Sequence, residues 1–339
     1  MIPVKDDETI YVLCPAYKAT GGPELLHQLV YTLNNQKIKS VICYYGINKD
    51  SLESPRNPQY DKYCNTYISI NELHDKSNQI IIFPEIFVDH LDKFKKSTKV
   101  VWWLSVDNYL RNYSIPHIIK EHLYRRLLHI WCLAYPAWLA RKKIDYNLAQ
   151  SWYAVDYLTK NDFKNIEYLS DYINEEYILS DNEVSSDRVN IVLYNPRKGY
   201  DFTKKIIEYM PDVKWVPLQG LTRDGVKTLL EKAKVYIDFG NHPGKDRFPR
   251  EAAISGCCVI TNKCGAAGYA RDVPLAPRYK FDNKESEIPQ IAKTIRDCLS
   301  HYEDHIPDFA EYRSMIRAEK SVFKDDVKRI FVREHTANE

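Results

Sequence analysis

The segment 229–265 holds the densest set of residues that could do chemistry in this sequence. An apolar run at 235–239 leads into a polar loop with glycines at 240 and 244. The side chains that could bind an anion or move a proton are in that loop and just after it: His242, Lys245, Asp246, Arg247, Arg250 and Glu251. Ligands of open α/β sheets bind at the carboxyl ends of the strands. The segment therefore predicts a ligand site, with a solvated charged loop as the alternative.

The elements that would position this loop are short apolar runs alternating with amphipathic stretches, the pattern of a parallel α/β sheet. In the first half we predict strands at 9–14, 41–45, 80–83, 100–104 and 167–169, and helices near 25–33, 117–128 and 151–160. In the second half we predict strands at 189–194, 213–216, 235–239 and 257–261, and helices near 202–209, 222–233 and 249–255. A helical tail begins near 304, and its predicted buried side holds Phe309, Tyr312, Ile316, Val322 and Phe323.

Length and composition indicate two globular domains in a soluble cytoplasmic protein. The chain has 339 residues, of which 44% are hydrophobic and 28% charged. A net charge of +2 does not support a nucleic-acid partner. The eight cysteines form no CxxC pair and are typical of buried residues in a reduced cytosol. No apolar run approaches the roughly 18 residues of a membrane span, and the polar start MIPVKDDETI does not resemble a signal peptide.

Several catalytic and cofactor motifs are missing from the sequence. It contains no GxGxxG, HExxH or GxSxG motif, and the stretch 240–246 departs from the phosphate-binding P-loop in spacing. It has no Asp-x-Asp pair, and its ten histidines show no metal-ligand spacing. We therefore expect neither a metal nor a cofactor.

The residues Glu251-Ala252-Ala253, Gly256 and Val259-Ile260 resemble the donor-binding signature of GT-B glycosyltransferases, especially the large retaining group that uses nucleotide sugars. In that family the glutamate commonly holds the ribose hydroxyls of the donor. Three further segments are similar to family loops: Gly21-Gly22-Pro23-Glu24 to the first glycine-rich loop, Asn195-Pro196-Arg197-Lys198-Gly199 to the diphosphate-binding turn, and Gln219-Gly220-Leu221-Thr222 to the loop near the base.

The resemblance implies two Rossmann-like α/β/α domains that face each other across a cleft, with a C-terminal helix packing back toward the N-terminal domain. We place the N-terminal, acceptor-side domain at 1–180, the nucleotide-sugar-binding domain at 181–305 and the helical tail at 306–339. The donor-binding residues that it implies are Gly21, Gly22, Asn195, Arg197, Lys198, Gln219, Gly220, Lys245, Arg247 and Glu251.

Two departures from the family pattern concern the reacting sugar and the donor turn. The first glutamate of the family's Glu-x7-Glu pair would fall at Pro243 or Gly244, neither of which can do acid–base work. Either Asp246 or His242 takes its place, or the sugar is held differently. The usual Gly-Arg after the strand is replaced by Tyr194-Asn195.

The predicted loops suit a diphosphate leaving group. Such a group needs about two negative charges neutralised as the glycosidic bond breaks, and lysines, arginines and helix N-termini can supply this without a metal. Lys198 and Arg197 precede one predicted helix, and Gly21 and Gly22 precede another. For Lys198 alone, a solvated turn lysine is the alternative.

In the first half, Asp107 follows the apolar run 100–104 and could be a carboxylate base for an acceptor hydroxyl. An Asx turn or helix cap is the alternative for Asp107, and Glu85 has the same ambiguity at another strand end. Trp102 and Trp103 favour aromatic core over a sugar-stacking surface.

A basic, aromatic stretch at 118–143 could contact an anionic membrane surface, although such a run is more often a solvated helix face.

Taken together, the residues and the resemblance predict a metal-independent glycosyltransferase, and the resemblance implies retention at the anomeric carbon. This enzyme would move a sugar from a nucleotide-sugar donor to a carbohydrate or lipid-linked acceptor, and bacterial surface polysaccharide assembly is the expected setting. One alternative is a catalytically silent subunit of the same fold that binds a nucleotide sugar or a glycan. Another is a sugar-nucleotide epimerase.

Overall fold

The computed structural model describes residues 1–334 except for 49, 51, 65, 114–139 and 179–186. The chain forms two compact units. The first comprises Met1–Asp171 together with the chain from Ser321, and the second comprises Tyr172–Lys320. Our sequence-based limits were 180 and 305, so the first part of the predicted tail belongs to the second unit and the rest to the first.

The first unit contains a seven-stranded parallel sheet. Its strands and helices, with a short N-terminal strand, are β1 (Ile2–Lys5), β2 (Thr9–Pro15), α1 (Gly21–Asn35), β3 (Ser40–Tyr45), β4 (Tyr67–Ser69), β5 (Gln79–Pro84), β6 (Thr98–Trp103), α2 (Val106–Tyr113), β7 (Tyr146–Ala149), α3 (Trp152–Lys160) and β8 (Ile166–Tyr168). The strand order is β4-β3-β2-β5-β6-β7-β8. Because the chain builds outward from β2 to β4 and then continues at β5, the strand order reverses between β2 and β5.

The core of the first unit is aromatic as well as aliphatic. Trp102 and Trp103 in β6 are fully buried. The indole of Trp102 donates to the Leu169 carbonyl at 3.0 Å, and that of Trp103 donates to the Asn147 side chain at 2.9 Å. These bonds satisfy the only polar atom of each side chain. The aromatic-core interpretation is confirmed.

The second unit is a smaller α/β fold around a five-stranded parallel sheet. Its elements are β9 (Val189–Tyr194), α4 (Tyr200–Tyr209), β10 (Lys214–Pro217), α5 (Arg223–Lys232), β11 (Ala233–Asp238), α6 (Arg247–Ile254), β12 (Cys258–Asn262), β13 (Lys280–Phe281), α7 (Ile288–Ser300), α8 (Tyr302–His305) and the first part of α9 (Ala310–Ile330). The four predicted strands are confirmed, with ends displaced by one or two residues.

The strand order of the second sheet is β10-β9-β11-β12-β13. The chain starts at β9, moves outward to β10 and then returns to β11 on the other side of β9. Loops that leave two neighbouring strands in opposite directions open a crevice at their carboxyl ends, and ligands bind there. In this sheet the reversal of strand order lies between β9 and β11, so the carboxyl ends of these two strands are the expected ligand position.

The end of the chain packs on the first unit. Strand β14 (Phe331–Glu334) pairs in parallel with β1, and the ring of Phe323 lies 6.4 Å from that of Trp102. These contacts confirm that the C-terminal segment returns to the N-terminal domain. The prediction that Val322 is buried is wrong, because α9 turns this residue outward and leaves 49% of it exposed.

Among the described helices, none is both long enough and apolar enough to cross a membrane. The predicted helix at 117–128 and most of the basic stretch 118–143 fall outside the described residues.

Candidate functional site

The site of the second unit is built on two turns that touch each other. One turn follows β9 and contains Lys198 and Gly199, and the other follows β11 and contains Phe239 and Gly240. A Cβ atom at Gly199 would lie 2.2 Å from the Phe239 carbonyl oxygen, and one at Gly240 would lie 2.5 Å from Cβ of Lys198. Gly199 also has a φ of +62°, in the left-handed region. Only glycine therefore allows this approach at both positions.

This approach brings Lys198 onto the second turn. Its ammonium contacts both carboxylate oxygens of Asp246, at 3.0 and 2.9 Å. Asp246 is the N-cap residue of α6, yet within the described part of the chain its side chain makes no capping hydrogen bond. A helix-capping aspartate usually accepts from the first turn. The carboxylate of Asp246 instead belongs to a group of charged side chains at the strand ends. This strand-end cluster comprises Lys198, Asp238, His242 and Asp246.

His242 lies between two carboxylates and is almost fully buried. Its Nδ1 is 3.2 Å from Asp246 and its Nε2 is 3.8 Å from Asp238. Burial alone would lower the pKa of His242, but the close contact with Asp246 and the negative charges of Asp238 and Asp246 outweigh burial and raise this pKa. Burial alone would raise the pKa of Asp246. The neighbouring His242 and Lys198 outweigh burial and lower the pKa. The pair therefore favours an imidazolium beside a carboxylate.

Asp238, the last residue of β11, was missed by the sequence analysis. Its carboxylate accepts from the Tyr236 hydroxyl at 2.9 Å and from the Gly240 amide at 3.0 Å. An aspartate near the end of a predicted buried strand, two residues before a glycine, was the available signal. Asp238 thus shapes the second turn and supplies one of the charges beside His242.

Asp238, His242 and Asp246 are also the residues of this site that could hold a metal ion. Their potential ligand atoms lie within 4.8 Å of one another, although the spacing in sequence indicated no such group. Both oxygens of Asp246 already contact the Lys198 ammonium. Hydrogen bonds likewise engage Asp238, so a cation would have to displace these partners.

Glu251 lies in the second turn of α6. We predicted that the helix starts at Pro249, but it starts at Arg247 because Asp246 is the N-cap and a proline is tolerated within the first turn. The favourable effect of a helix N-terminus on a carboxylate falls off within the first turn. Stabilisation of the helix start is therefore a weaker explanation for Glu251, which is 7% exposed.

Lys245 and Arg250 are more buried than a solvated loop would allow. Only 6% of Lys245 and none of Arg250 is exposed, and both contact Glu319 of α9. Arg247 is half-buried at the start of α6. The solvated-loop alternative does not describe this segment.

The remaining predicted donor residues of the second unit lie in exposed or turn positions. Asn195 forms an Asx turn by accepting from the Arg197 amide at 3.0 Å, and Arg197 itself is exposed. Gln219 and Gly220 are exposed after β10. Of these residues, Asn195 and Arg197 share the turn that carries Lys198.

In the first unit, Gly21 and Gly22 begin α1 beyond the end of β2. Asp107 lies in the first turn of α2 and accepts from the Tyr153 hydroxyl at 2.7 Å. Glu85 follows β5 at the strand-order reversal, where its carboxylate accepts from the Leu104 amide. Burial raises the pKa of Glu85 to about 8, against the opposing effect of that amide.

The two parallel sheets, with polar loops at reversal points of strand order, define a pair of Rossmann-like folds of the GT-B kind. No protein-family model and no curated protein matches the sequence. Solved structures do. The chain is similar to sucrose-phosphate synthase from Thermosynechococcus elongatus (12% identity, TM-score 0.63, 95% of this chain and 98% of that one). It is also similar to HepE from Anabaena in complex with UDP-glucose (11%, 0.59, 95% and 98%).

A third similar structure is WaaG, a glycosyltransferase involved in lipopolysaccharide biosynthesis (11% identity, TM-score 0.51, 94% of this chain and 99% of that one). At such identities the similarity establishes the fold. The chain has the GT-B fold, as the resemblance implied.

The buried His242 pair predicts a pH dependence of stability. Because the folded-state pKa of His242 is raised, its contribution is fully present below its ordinary pKa of 6.5 and is lost as pH rises through the raised value. His242→Gln should therefore cost more free energy of unfolding at about pH 6 than at about pH 9, as measured by urea unfolding.

His301→Gln is the matched control, because His301 pairs with Asp297 at 2.9 Å but is 62% exposed. Exposed pairs contribute little to stability, so this variant should show a small and nearly constant cost. An equal cost of His242→Gln at both pH values would contradict the charged pair.

Proposed function

We propose that this protein is a glycosyltransferase that moves a sugar from a nucleotide-sugar donor to a carbohydrate or lipid-linked acceptor. The observation that carries the proposal is the Lys198–Asp246 pair at the point where strand order reverses in a GT-B fold. The carboxylate of Asp246 contacts Lys198 instead of capping its own helix. Lys198 therefore lies where an anionic ligand of this fold would bind.

The donor diphosphate would bind at the turn after β9. The side chain of Lys198 is 38% exposed, so its ammonium is accessible while it contacts Asp246. Lys198 would exchange Asp246 for the diphosphate, and the first backbone N–H groups of α4 would add hydrogen bonds. Arg197 and Arg247 would contribute positive charge, and Glu251 would accept from the ribose hydroxyls. These groups act most strongly as the leaving group gains charge.

Known ligands of similar proteins support the donor class. HepE has been solved in complex with UDP and with UDP-glucose, so uridine nucleotides are the first donors to test. The involvement of WaaG in lipopolysaccharide biosynthesis supports a role in bacterial surface polysaccharide assembly. We place the reaction in the cytoplasm, with peripheral membrane contact through the basic stretch 118–143.

We propose that the reaction needs no metal, since Lys198 and His242 supply positive charge beside Asp238 and Asp246. Retention at the anomeric carbon is the outcome that the resemblance implies, and we keep it as part of the proposal. Neither Pro243 nor Gly244 can replace the family glutamate, so Asp246 and His242 are the candidates to contact the reacting sugar. Asp107 is the candidate base on the acceptor side.

The proposal predicts turnover of a nucleotide sugar. With a panel of donors that includes UDP-glucose, the protein should release nucleoside diphosphate slowly without acceptor, and it should do so equally well in excess EDTA. Chromatography of the products measures the release. A silent subunit would bind the donor without releasing diphosphate, and an epimerase would convert the sugar with the nucleotide intact. Activity that EDTA abolishes and Mn²⁺ or Mg²⁺ restores would contradict metal independence.

Lys198→Ala should weaken binding of the nucleoside diphosphate at least tenfold. The variant loses a charge-assisted hydrogen bond worth roughly 1.5–3 kcal/mol, and calorimetric titration with UDP measures the change. Lys204→Ala is the control, because Lys204 is exposed on α4 and pairs only loosely with Glu208, at 3.7 Å. Equal affinities of wild type and Lys198→Ala would remove Lys198 from the donor site.

Glu251→Gln should lose most of the preference for ribonucleotides over 2′-deoxyribonucleotides. The change keeps the size of the side chain but removes its charge and half its acceptor capacity, so the affinity for UDP should fall about tenfold while the thermal midpoint changes little. Glu208→Gln on the exposed face of α4 is the control. If wild type and Glu251→Gln discriminate equally, Glu251 does not read the ribose.

A further inference from the structure

A charged residue lies within the buried stripe of the last long helix. The stripe of α9 recurs at helical spacing and comprises Tyr312, Ile316, Glu319, Phe323, Val327 and Ile330, each at most 5% exposed. Burying a carboxylate costs several kcal/mol unless it is paired and hydrogen-bonded. A leucine would fill this position of the stripe without that cost. The presence of Glu319 therefore needs an explanation beyond packing.

Glu319 contacts two cations of the candidate site. Its Oε1 lies 2.7 Å from the Lys245 ammonium, and its Oε2 lies 2.9 Å from the Arg250 guanidinium. All three side chains are at most 4% exposed. Such a group is poor evidence for stability, since apolar replacements of buried ion pairs are often neutral or stabilising. A role in placing the charged groups is therefore a better explanation for it than a gain in stability.

The contact extends from Arg250 to the backbone of the loop. Arg250 donates to the Lys245 carbonyl at 2.8 Å and to the Asp246 carbonyl at 3.2 Å. The side chain of Asp246 is the one that contacts Lys198 and His242. A continuous path therefore runs from Glu319 through Arg250 to the residue at the centre of the strand-end cluster.

We propose that Glu319 is a positioning residue of the donor site, and that its carboxylate holds Lys245 and Arg250 so that the loop presents His242 and Asp246 in one geometry. Glu319 lies next to the point at which the chain passes from the second unit to the first, between Lys320 and Ser321. The proposal rests on the proposed function for its affinity readout alone, because the order of the loop can be measured without any ligand.

The test combines hydrogen exchange with nucleotide binding in Glu319→Gln. Exchange of the amides at 239–251 should become about tenfold faster, because the loop opens locally without global unfolding. The strands β9 and β12 should exchange as in wild type. The affinity for UDP should fall about tenfold, and Glu319→Asp, which keeps the charge, should restore part of both properties.

Two variants of α9 separate positioning from general loosening of the helix. Glu311→Gln changes an exposed carboxylate of the same helix, and Ile316→Val loosens the same buried stripe one turn away. Neither should change loop exchange or UDP affinity, although Ile316→Val should lower the thermal midpoint slightly.

Native loop exchange in Glu319→Gln would overturn the proposal, as would an identical exchange pattern in Ile316→Val. Should Glu319→Gln fail to fold, Glu319→Asp is the test, because its shorter side chain must weaken at least one of the two ion pairs. Its loop should then exchange faster than that of wild type, and native loop exchange in this variant would overturn the proposal. If wild type binds no nucleoside diphosphate, the proposed function fails, and the exchange measurement still tests Glu319.

Discussion

The site depends on the contact between the turn after β9 and the turn after β11. These strands are hydrogen-bonded neighbours, and the strand order reverses between them. Any side chain at Gly199 or Gly240 would overlap the opposite turn. Because the two backbones touch, the Lys198 ammonium reaches a carboxylate that is 48 residues away in the sequence. The position of Asp246, and with it the start of α6 and the placement of Glu251, follows from the same contact.

The charged side chains around the candidate site include two connected groups. Lys198 and His242 face Asp238 and Asp246 at the strand ends, while Lys245 and Arg250 share Glu319 behind the loop. Charges in a poorly hydrated site are costly unless they are balanced. A diphosphate that bound at the strand ends would take Lys198 from Asp246 and so change the balance of charge in the first group. The second group would keep the loop in place during that exchange.

Local signals were sufficient for the framework of this site. The apolar runs predicted β9 and β11, and the glycines at 240 and 244 together with the charged run from Lys245 to Glu251 indicated the loop. The start of α6 was wrong by two residues, because Pro249 was taken as the first helical residue although an aspartate further upstream is the cap. Pro249 is compatible with either start, and only the backbone conformation of Asp246 decides between them.

The residues that were missed depend on contacts between distant parts of the chain. Glu319 is 69 residues from Arg250 and belongs to a helix with no donor-binding motif. Its position in an apolar stripe is visible in the sequence. The sequence does not show which cations balance its charge. The pairing of β1 with β14 joins the two ends of the described chain, and local periodicity carries no information about such a partner. Sequence reasoning therefore predicted the charged loop and missed the residue of α9 that contacts it.

The most direct measurement for the central claim is a crystal structure of the protein with bound UDP. The account predicts diphosphate oxygens within about 2.7–3.2 Å of the Lys198 ammonium, with the turn after β9 around them and the ribose hydroxyls at Glu251. A well-ordered nucleotide bound elsewhere, with the Lys198 ammonium still on Asp246, would contradict the account.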